Sequence, residues 1–190
     1  YGNPVITKRG DGTWIVAFSS GYNNTSGDGK GHLYVLYANT GVVLLDIPTT
    51  AGSAASPSGL AKINAWIDSP NDNTTKRFYG GDLQGNLWRF DIDNLLEPNQ
   101  AALLMAKFQI DASTPQPITT KPETVEVSGK PVVIVATGRY LGTDDIENTT
   151  QQSIYGIRDK LTNSGWGDVR ADTTNFVTHT FTLTYTGTGA

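Results

Sequence analysis

The stretch Tyr79-Gly80-Gly81-Asp82-Leu83-Gln84-Gly85-Asn86-Leu87-Trp88-Arg89-Phe90 decides the fold. It predicts a β-hairpin, because a turn between Gly81 and Gly85 can adopt the positive φ angles that tight hairpin turns require. Asp82 is expected to hold the turn by accepting backbone N–H bonds. Beyond the turn the side chains alternate between two faces, one with Trp88, Phe90 and Ile92 and the other with Leu87, Arg89 and Asp91. The structural motif predicted here consists of Gly81, Asp82, Gly85, Asn86 and Trp88.

Three units with the same order of strands and turns follow one another, at about 1–50, 57–112 and 117–160, before a tail at 161–190. Their matching glycines are about 60 residues apart, at Gly21, Gly81 and Gly138. A repeat of this period built from short strands predicts a radial or stacked array of sheets. We therefore expect an all-β fold in which residues 1–190 form a single partial modified β-propeller of about three enlarged antiparallel blades. A β-sandwich is the structural alternative.

Some segments fit the repeat less closely. Leu95–Met105 predicts either a short helix or an irregular excursion, and Asn175–Thr186 predicts a further strand or two. The tryptophans Trp14, Trp66 and Trp88 are expected to fill the space between sheets, as large aromatic side chains usually do.

Composition and charge exclude several classes of function. The net charge of −4 and the pI near 5.0, with no basic run, leave no electrostatic footprint for nucleic acid or for an anionic membrane surface. No apolar run approaches the roughly 18 residues of a spanning helix. The absence of cysteine excludes disulfides, thiolate metal sites and a cysteine nucleophile. Because the sequence begins at Tyr1, we expect it to be a piece of a longer protein that closes the ring.

Catalytic motifs are weak. His32 and His179 are the only histidines, and they lie in separate strand-like stretches, so the sequence shows neither a histidine-rich metal centre nor an obvious catalytic triad. No helix is predicted after the glycine turn, which argues against a phosphate-binding loop. We predict that the protein is not an enzyme and that His32 is a side chain on the sheet surface.

A family resemblance becomes specific at Tyr79–Phe90, which resembles the most distinctive motif of the PilC/PilY-type type IV pilus biogenesis and tip-adhesin proteins. The resemblance covers residues 1 to about 160 and implies the modified β-propeller domain found at the C-terminus of these proteins. Six further stretches agree in order, namely Trp14–Asn24, Leu33–Gly41, Ser58–Trp66, Pro117–Glu123, Val135–Asp145 and Gln152–Lys160.

The resemblance implies a pilus assembly and retraction-control factor that also serves as a surface adhesin. Such a protein is secreted across the inner membrane and lies at the bacterial cell surface with the pilus. Its expected partners are pilus subunits or minor pilins and host-cell or abiotic surfaces, bound by loops at the rim of a rigid sheet array. Two alternatives stay open. Leu33–Ile47 also resembles a blade of quinoprotein dehydrogenases, and a general protein-interaction propeller is the third reading.

Members of this family often carry a calcium loop just before the Gly-Gly-Asp turn. In this sequence Asp68 and Asp72 match its acidic positions, but Pro70 offers no side-chain oxygen, Asn73 replaces a glycine, and Lys76 replaces the last acidic residue. Calcium takes 6–8 oxygen ligands, so we expect the site to be lost or weakened and no other cofactor to bind. One hypothesis is that the Lys76 ammonium takes the cation position and bridges Asp68 or Asp72. The alternatives are surviving calcium binding and an ordinary solvated loop.

Two further motifs are short. Arg9-Gly10-Asp11 spells the integrin-recognition tripeptide, but a glycine and an aspartate there are also what a hairpin turn before Trp14 requires. The turn is our interpretation, with cell adhesion as the alternative. Asn24–Gly29 is rich in oxygen ligands and resembles the start of an EF-hand loop, yet position twelve is Val35 rather than glutamate. We interpret this segment as a flexible hairpin loop.

Overall fold

The computed structural model describes residues 2–22, 24–69, 71–182 and 184. Within them the chain forms short β-strands and a 3₁₀ turn at Thr143–Asp145, which confirms the all-β prediction. The strands are β1 (Val5–Lys8), β2 (Trp14–Ser19), β3 (His32–Tyr37), β4 (Val43–Pro48), β5 (Ile63–Ser69), β6 (Thr74–Gly81), β7 (Asn86–Asp91), β8 (Ala102–Lys107), β9 (Gln109–Asp111), β10 (Thr114–Pro115), β11 (Glu123–Val127), β12 (Lys130–Ala136) and β13 (Ile154–Arg158).

Most of these strands form three antiparallel meanders. Strands β1–β4 make sheet 1, β5–β8 make sheet 2, and β11–β13 make sheet 3. Sheets 1 and 2 are continuous through one parallel pair, Lys8 with Thr74. Strands β9 and β10 pair with each other in the connection to sheet 3. One sheet therefore lies within each of the three units read from the sequence.

Sheet 2 lies between the other two and is buried on both faces. Its central strand β7 has every residue buried, and its side chains alternate between two separate hydrophobic clusters. The cluster shared with sheet 1 contains Ile15, Ala17, Leu33, Val35, Phe78, Trp88, Phe90 and Ile92. The cluster shared with sheet 3 contains Tyr79, Leu87, Met105, Phe108, Ile118, Val133, Val135 and Ile157.

The tryptophans divide between these layers and the surface. Trp88 is fully buried between sheets 1 and 2, and Trp66 is half-buried against the cluster between sheets 2 and 3. For Trp14 the prediction is wrong, because its side chain is 52% exposed. Its neighbour Ile15 points into the core, so the pleat of β2 places Trp14 on the face of sheet 1 that is turned away from sheet 2.

Two segments differ from the strand and helix assignments made on sequence. The helix alternative for Leu95–Met105 is wrong, since Leu95 lies in an exposed loop and Ala102–Lys107 pairs with β7 as β8. Pairing with β7 outweighs the local helix propensity of this alanine- and leucine-rich run. Within Asn175–Thr186, residues 175–182 and 184 form no strand, and the remaining positions lie outside the described residues.

A buried ion pair joins sheet 2 to the end of sheet 3. Arg89 Nη1 lies 2.7 Å from Asp159 Oδ1, and both side chains are 1% exposed. Tyr79 donates its hydroxyl proton to Asp159 Oδ2 at 2.8 Å, while Arg89 Nη2 donates to the carbonyls of Glu97 and Thr162. Burial and the Asp159 charge raise the pKa of Tyr79, so this phenol stays protonated and remains a donor.

Removing one partner of this ion pair should destabilise the fold strongly. We expect Asp159→Ala to lower the free energy of unfolding by about 3–5 kcal/mol, because it leaves the Arg89 charge buried without a counter-ion. Chemical denaturation measures the change. The control is Lys121→Ala at the exposed pair with Glu123, 3.3 Å long, for which about 0–1 kcal/mol is expected. Equal losses in the two variants would show that the buried pair does not hold the sheets together.

Candidate functional site

The turn between β6 and β7 is built around the carboxylate of Asp82, which is fully buried. Oδ1 accepts the backbone N–H groups of Gln84 and Asn86, both at 2.9 Å. Oδ2 accepts the side-chain amide of Asn86 at 2.8 Å and the indole N–H of Trp88 at 2.9 Å. Burial raises the pKa of Asp82 to about 6 while these donors oppose the rise, so the group is ionised at neutral pH.

The same turn connects segments that are distant in sequence. The Asp82 carbonyl accepts the N–H of Ile118, and the N–H of Leu83 donates to the Ser58 carbonyl. Gly85 has φ +77°, and a Cβ there would collide with the carbonyl oxygen of Phe108, so only glycine fits. The motif therefore holds the loops of the rim against the sheets.

An open cleft of about 480 Å³ lies beside this turn. Its polar lining comes from Ser56, Gln84, Asn86, Lys107 and Gln109. Gln84 also donates its side-chain amide to the Ser56 carbonyl at 3.1 Å. The cleft offers amide, hydroxyl and ammonium groups on a rigid base, which suits recognition of a polar surface by hydrogen bonding.

The loop that matches the family's calcium position is a hairpin turn between β5 and β6. Asn73 has φ +58°, in the left-handed region that favours glycine, and its carbonyl accepts the N–H of Lys8. Asp72 Oδ1 accepts the Thr74 N–H at 3.0 Å. The side chain of Asp68 and all of Pro70 lie outside the described residues.

The side chain of Lys76, the lysine of this loop sequence, lies near the Arg9 turn. A Cβ built on Gly10 would lie 3.8 Å from Cε of Lys76, so the lysine stem reaches toward the Arg9 turn. In the described part of the chain, no group of three His, Asp or Glu side chains could hold a metal ion. Whether this loop binds calcium stays a prediction.

The Arg9-Gly10-Asp11 turn is tied down by a residue that sequence reasoning missed. Asp93 accepts Arg9 Nε at 2.8 Å and the Gly10 N–H at 2.7 Å. Arg9 Nη1 also lies 3.2 Å from Asp11 Oδ2, and Asp11 Oδ1 accepts the Thr13 N–H. Both charged groups of the tripeptide are thus engaged in the turn, and cell adhesion stays the alternative interpretation.

His32 does lie on the sheet surface, but it has two carboxylate partners. Its Nδ1 is 2.6 Å from Asp46 Oδ1, and its Nε2 is 3.2 Å from Asp28 Oδ1 in the Asn24–Gly29 loop. Partial burial lowers the pKa of His32, but the two carboxylates raise it further, so the net shift is upward. The spacing of Asp28 and His32 by four residues was visible in sequence, whereas Asp46 comes close only through pairing of β3 with β4.

These observations define a class of protein: a blade-type all-β domain with buried structural charges and polar loops at its rim. Among the described residues, no helix is long and apolar enough to cross a membrane. The sequence matches the family described as the PilY1 beta-propeller domain over residues 1–182, and the chain belongs to this family. The family resemblance and the partial β-propeller predicted from sequence are both confirmed.

Individual relatives agree with the family assignment. The type IV pilus biogenesis factor PilY1 homolog of Xylella fastidiosa is 36% identical over 162 residues, which are 84% of this chain and 12% of that protein. The type IV pilus biogenesis factor PilY1 of Pseudomonas aeruginosa PAO1 is 28% identical over 183 residues, 84% of this chain and 15% of that protein. The chain thus spans about an eighth of the length of these curated relatives.

A solved structure shows the same architecture. The crystal structure of the Pseudomonas aeruginosa PilY1 C-terminal domain matches with a TM-score of 0.71 at 25% identity. The match covers 87% of this chain and 39% of that chain. Three sheets of the present chain therefore correspond to part of a larger domain.

Neutralising Asp82 should destabilise the rim. We expect Asp82→Asn to cost about 1–3 kcal/mol, because the new NH₂ group faces N–H donors and leaves at least one of them without an acceptor. Thermal or chemical denaturation measures this loss. Asp111→Asn is the matched control, since Asp111 accepts the Ser113 N–H at 2.9 Å but is exposed, and its change should stay within about 0.5 kcal/mol. A loss no larger than that of the control would contradict the role assigned to Asp82.

Proposed function

We propose that this domain is part of a type IV pilus biogenesis factor and that it acts by binding rather than by catalysis. The observation that carries the proposal is the family match along residues 1–182, together with relatives that are named as type IV pilus biogenesis factors. On the same ground we assign the protein to the pilus and the bacterial cell surface after secretion across the inner membrane.

The partners that fit this role are pilus subunits or minor pilins, with host-cell or abiotic surfaces as targets of an adhesive function. We assign binding to the rim cleft beside the Asp82 turn. Gln84, Lys107 and Gln109 present hydrogen-bond donors and acceptors there, on a base that the buried carboxylate holds rigid. Loops on a rigid sheet array are the usual location of binding residues.

Charge reversal in the cleft provides the test. We expect Lys107→Glu in the full-length parent protein to weaken binding to purified minor pilins about tenfold, equivalent to about 1.4 kcal/mol. Biolayer interferometry measures the affinity, and surface piliation of a complemented deletion strain reports assembly. Lys130→Glu, at the first residue of β12, is the charge-matched control and should leave both unchanged.

The outcomes separate the competing functions. Unchanged binding and piliation in Lys107→Glu would show that the cleft is not the binding site. Loss of binding in both Lys107→Glu and Lys130→Glu would indicate a general effect of charge. Binding of unrelated proteins in preference to pilins would favour the general interaction propeller. Absorbance of a bound quinone in the purified protein would favour the quinoprotein alternative and contradict a non-enzymatic role.

We also propose that the loop of Asp68, Asp72 and Lys76 does not use calcium as a cofactor. A lysine at a ligand position removes an oxygen and repels a divalent cation. Calorimetry with calcium on the purified chain should therefore show no micromolar binding, whereas Lys76→Asp, which restores the last acidic position, should strengthen binding. A micromolar endpoint with the unsubstituted chain would contradict the proposal. The Lys76 bridge to Asp68 or Asp72 stays a hypothesis.

A further inference from the structure

The outer edge of β13 is an unpaired strand edge in the described part of the chain. Sheet 3 has three strands, whereas sheets 1 and 2 have four each. The Ser153 carbonyl accepts the N–H of Thr137, directly after β12, at 2.9 Å, and the N–H of Asp159 donates to the Pro131 carbonyl in β12 at 2.8 Å. Because bonding alternates along an antiparallel strand, the backbone groups of Ile154 and Gly156 point away from β12.

A later segment of the same chain lies near this edge. Residues 153–157 and 176–181 line the same cleft, which has a volume of about 400 Å³. Ile154 is 69% exposed, and Val177 and Phe181 are 83% and 86% exposed. Three large apolar side chains therefore face water at the place where a fourth strand of sheet 3 would run.

The sequence of this segment is that of a strand. Val177-Thr178-His179-Thr180-Phe181-Thr182 alternates between threonine and larger side chains, and β-branched and aromatic residues favour extended structure. In the structure these residues have no strand partner among the described residues. A strand-forming sequence and an unpaired strand edge are thus adjacent.

Phe176 sets the orientation that pairing would take. Its ring packs edge-on against Trp166 at 5.3 Å, in the cluster between sheets 2 and 3. Since side chains alternate along a strand, Thr178 and Thr180 then share the inner face with Phe176. Val177 and Phe181 fall on the outer face, beside Ile154.

We propose that the outer edge of β13 is a strand-binding site and that residues Val177–Thr182 occupy it as the fourth strand of sheet 3. The occupant is the chain's own segment, because Phe176 already anchors it beside the edge and a short tether gives it a high effective concentration. Pairing satisfies the backbone groups of Ile154 and Gly156 and places Val177 and Phe181 beside Ile154 on the outer face. It also removes an edge that would otherwise invite association.

Amide hydrogen exchange on the 190-residue chain tests the proposal. The outward amides of Ile154 and Gly156 are compared with those of Tyr155 and Ile157, which face β12 and should be protected in every variant. The key variant is His179→Pro/Thr180→Pro. In a paired strand one of these two adjacent backbone N–H groups would face β13, and proline has no N–H group, so the double substitution removes the bond in either register. His179→Ala/Thr180→Ala at the same positions keeps both amides and is the matched control.

We expect the outward amides to exchange about tenfold faster in the double-proline variant than in the unsubstituted chain, and the double-alanine variant to keep most of the protection. Circular dichroism should show that both variants remain folded, since both positions are exposed. Fast exchange of Ile154 and Gly156 in the unsubstituted chain would overturn the proposal. Protection that increases with protein concentration would assign the edge to a second copy, and protection that survives double proline would assign it to another segment. Either result also overturns the proposal.

Discussion

The structure depends on one constraint, which is that sheet 2 is apolar on both faces. A large apolar side chain contributes about 1.5–3 kcal/mol when it is fully buried, and β7 alone places Leu87, Trp88 and Phe90 on two opposite faces. A single neighbouring sheet could cover only one of these faces. Sheets 1 and 3 are therefore both required, and the layered order of the three sheets follows from the composition of the middle one.

Charged groups buried between these layers make the arrangement specific. A buried ion is costly unless its partners are complete, so it tolerates few alternative registers. The Asp82 carboxylate receives N–H donors at both oxygens, and Arg89 reaches Asp159 across the interface of sheets 2 and 3. A slip of β7 by one residue would place an apolar side chain opposite Asp159 and turn the Arg89 charge into the hydrophobic cluster between sheets 1 and 2. Hydrophobic burial thus holds the layers together, and the polar contacts select one alignment of them.

The order of residues along the chain predicted those features that depend on neighbouring residues. The alternation of β7, the glycine-rich turn and the three-unit order follow from the spacing of side chains along the chain, and these features could be read from sequence. Contacts between distant segments could not. Asp159 is remote from Arg89 in sequence, and Asp46 meets His32 only through strand pairing. The prediction that Trp14 is buried was wrong for a related reason. Alternation tells which face of the sheet a side chain takes, but it does not tell whether another sheet covers that face.

The outer side of sheet 3 shows that the edge and the face of a sheet are stabilised in different ways. Val125, Ile134 and Ile154 lie on the face turned away from sheet 2 and are 44%, 42% and 69% exposed. A fourth strand on β13 would satisfy backbone groups at the edge, but it would widen this apolar face instead of covering it. Covering the face requires side chains from another layer, as sheets 1 and 3 supply for sheet 2. Backbone hydrogen bonds to a further strand therefore satisfy the edge of a blade, whereas the apolar outer face is buried only by packing against a further sheet.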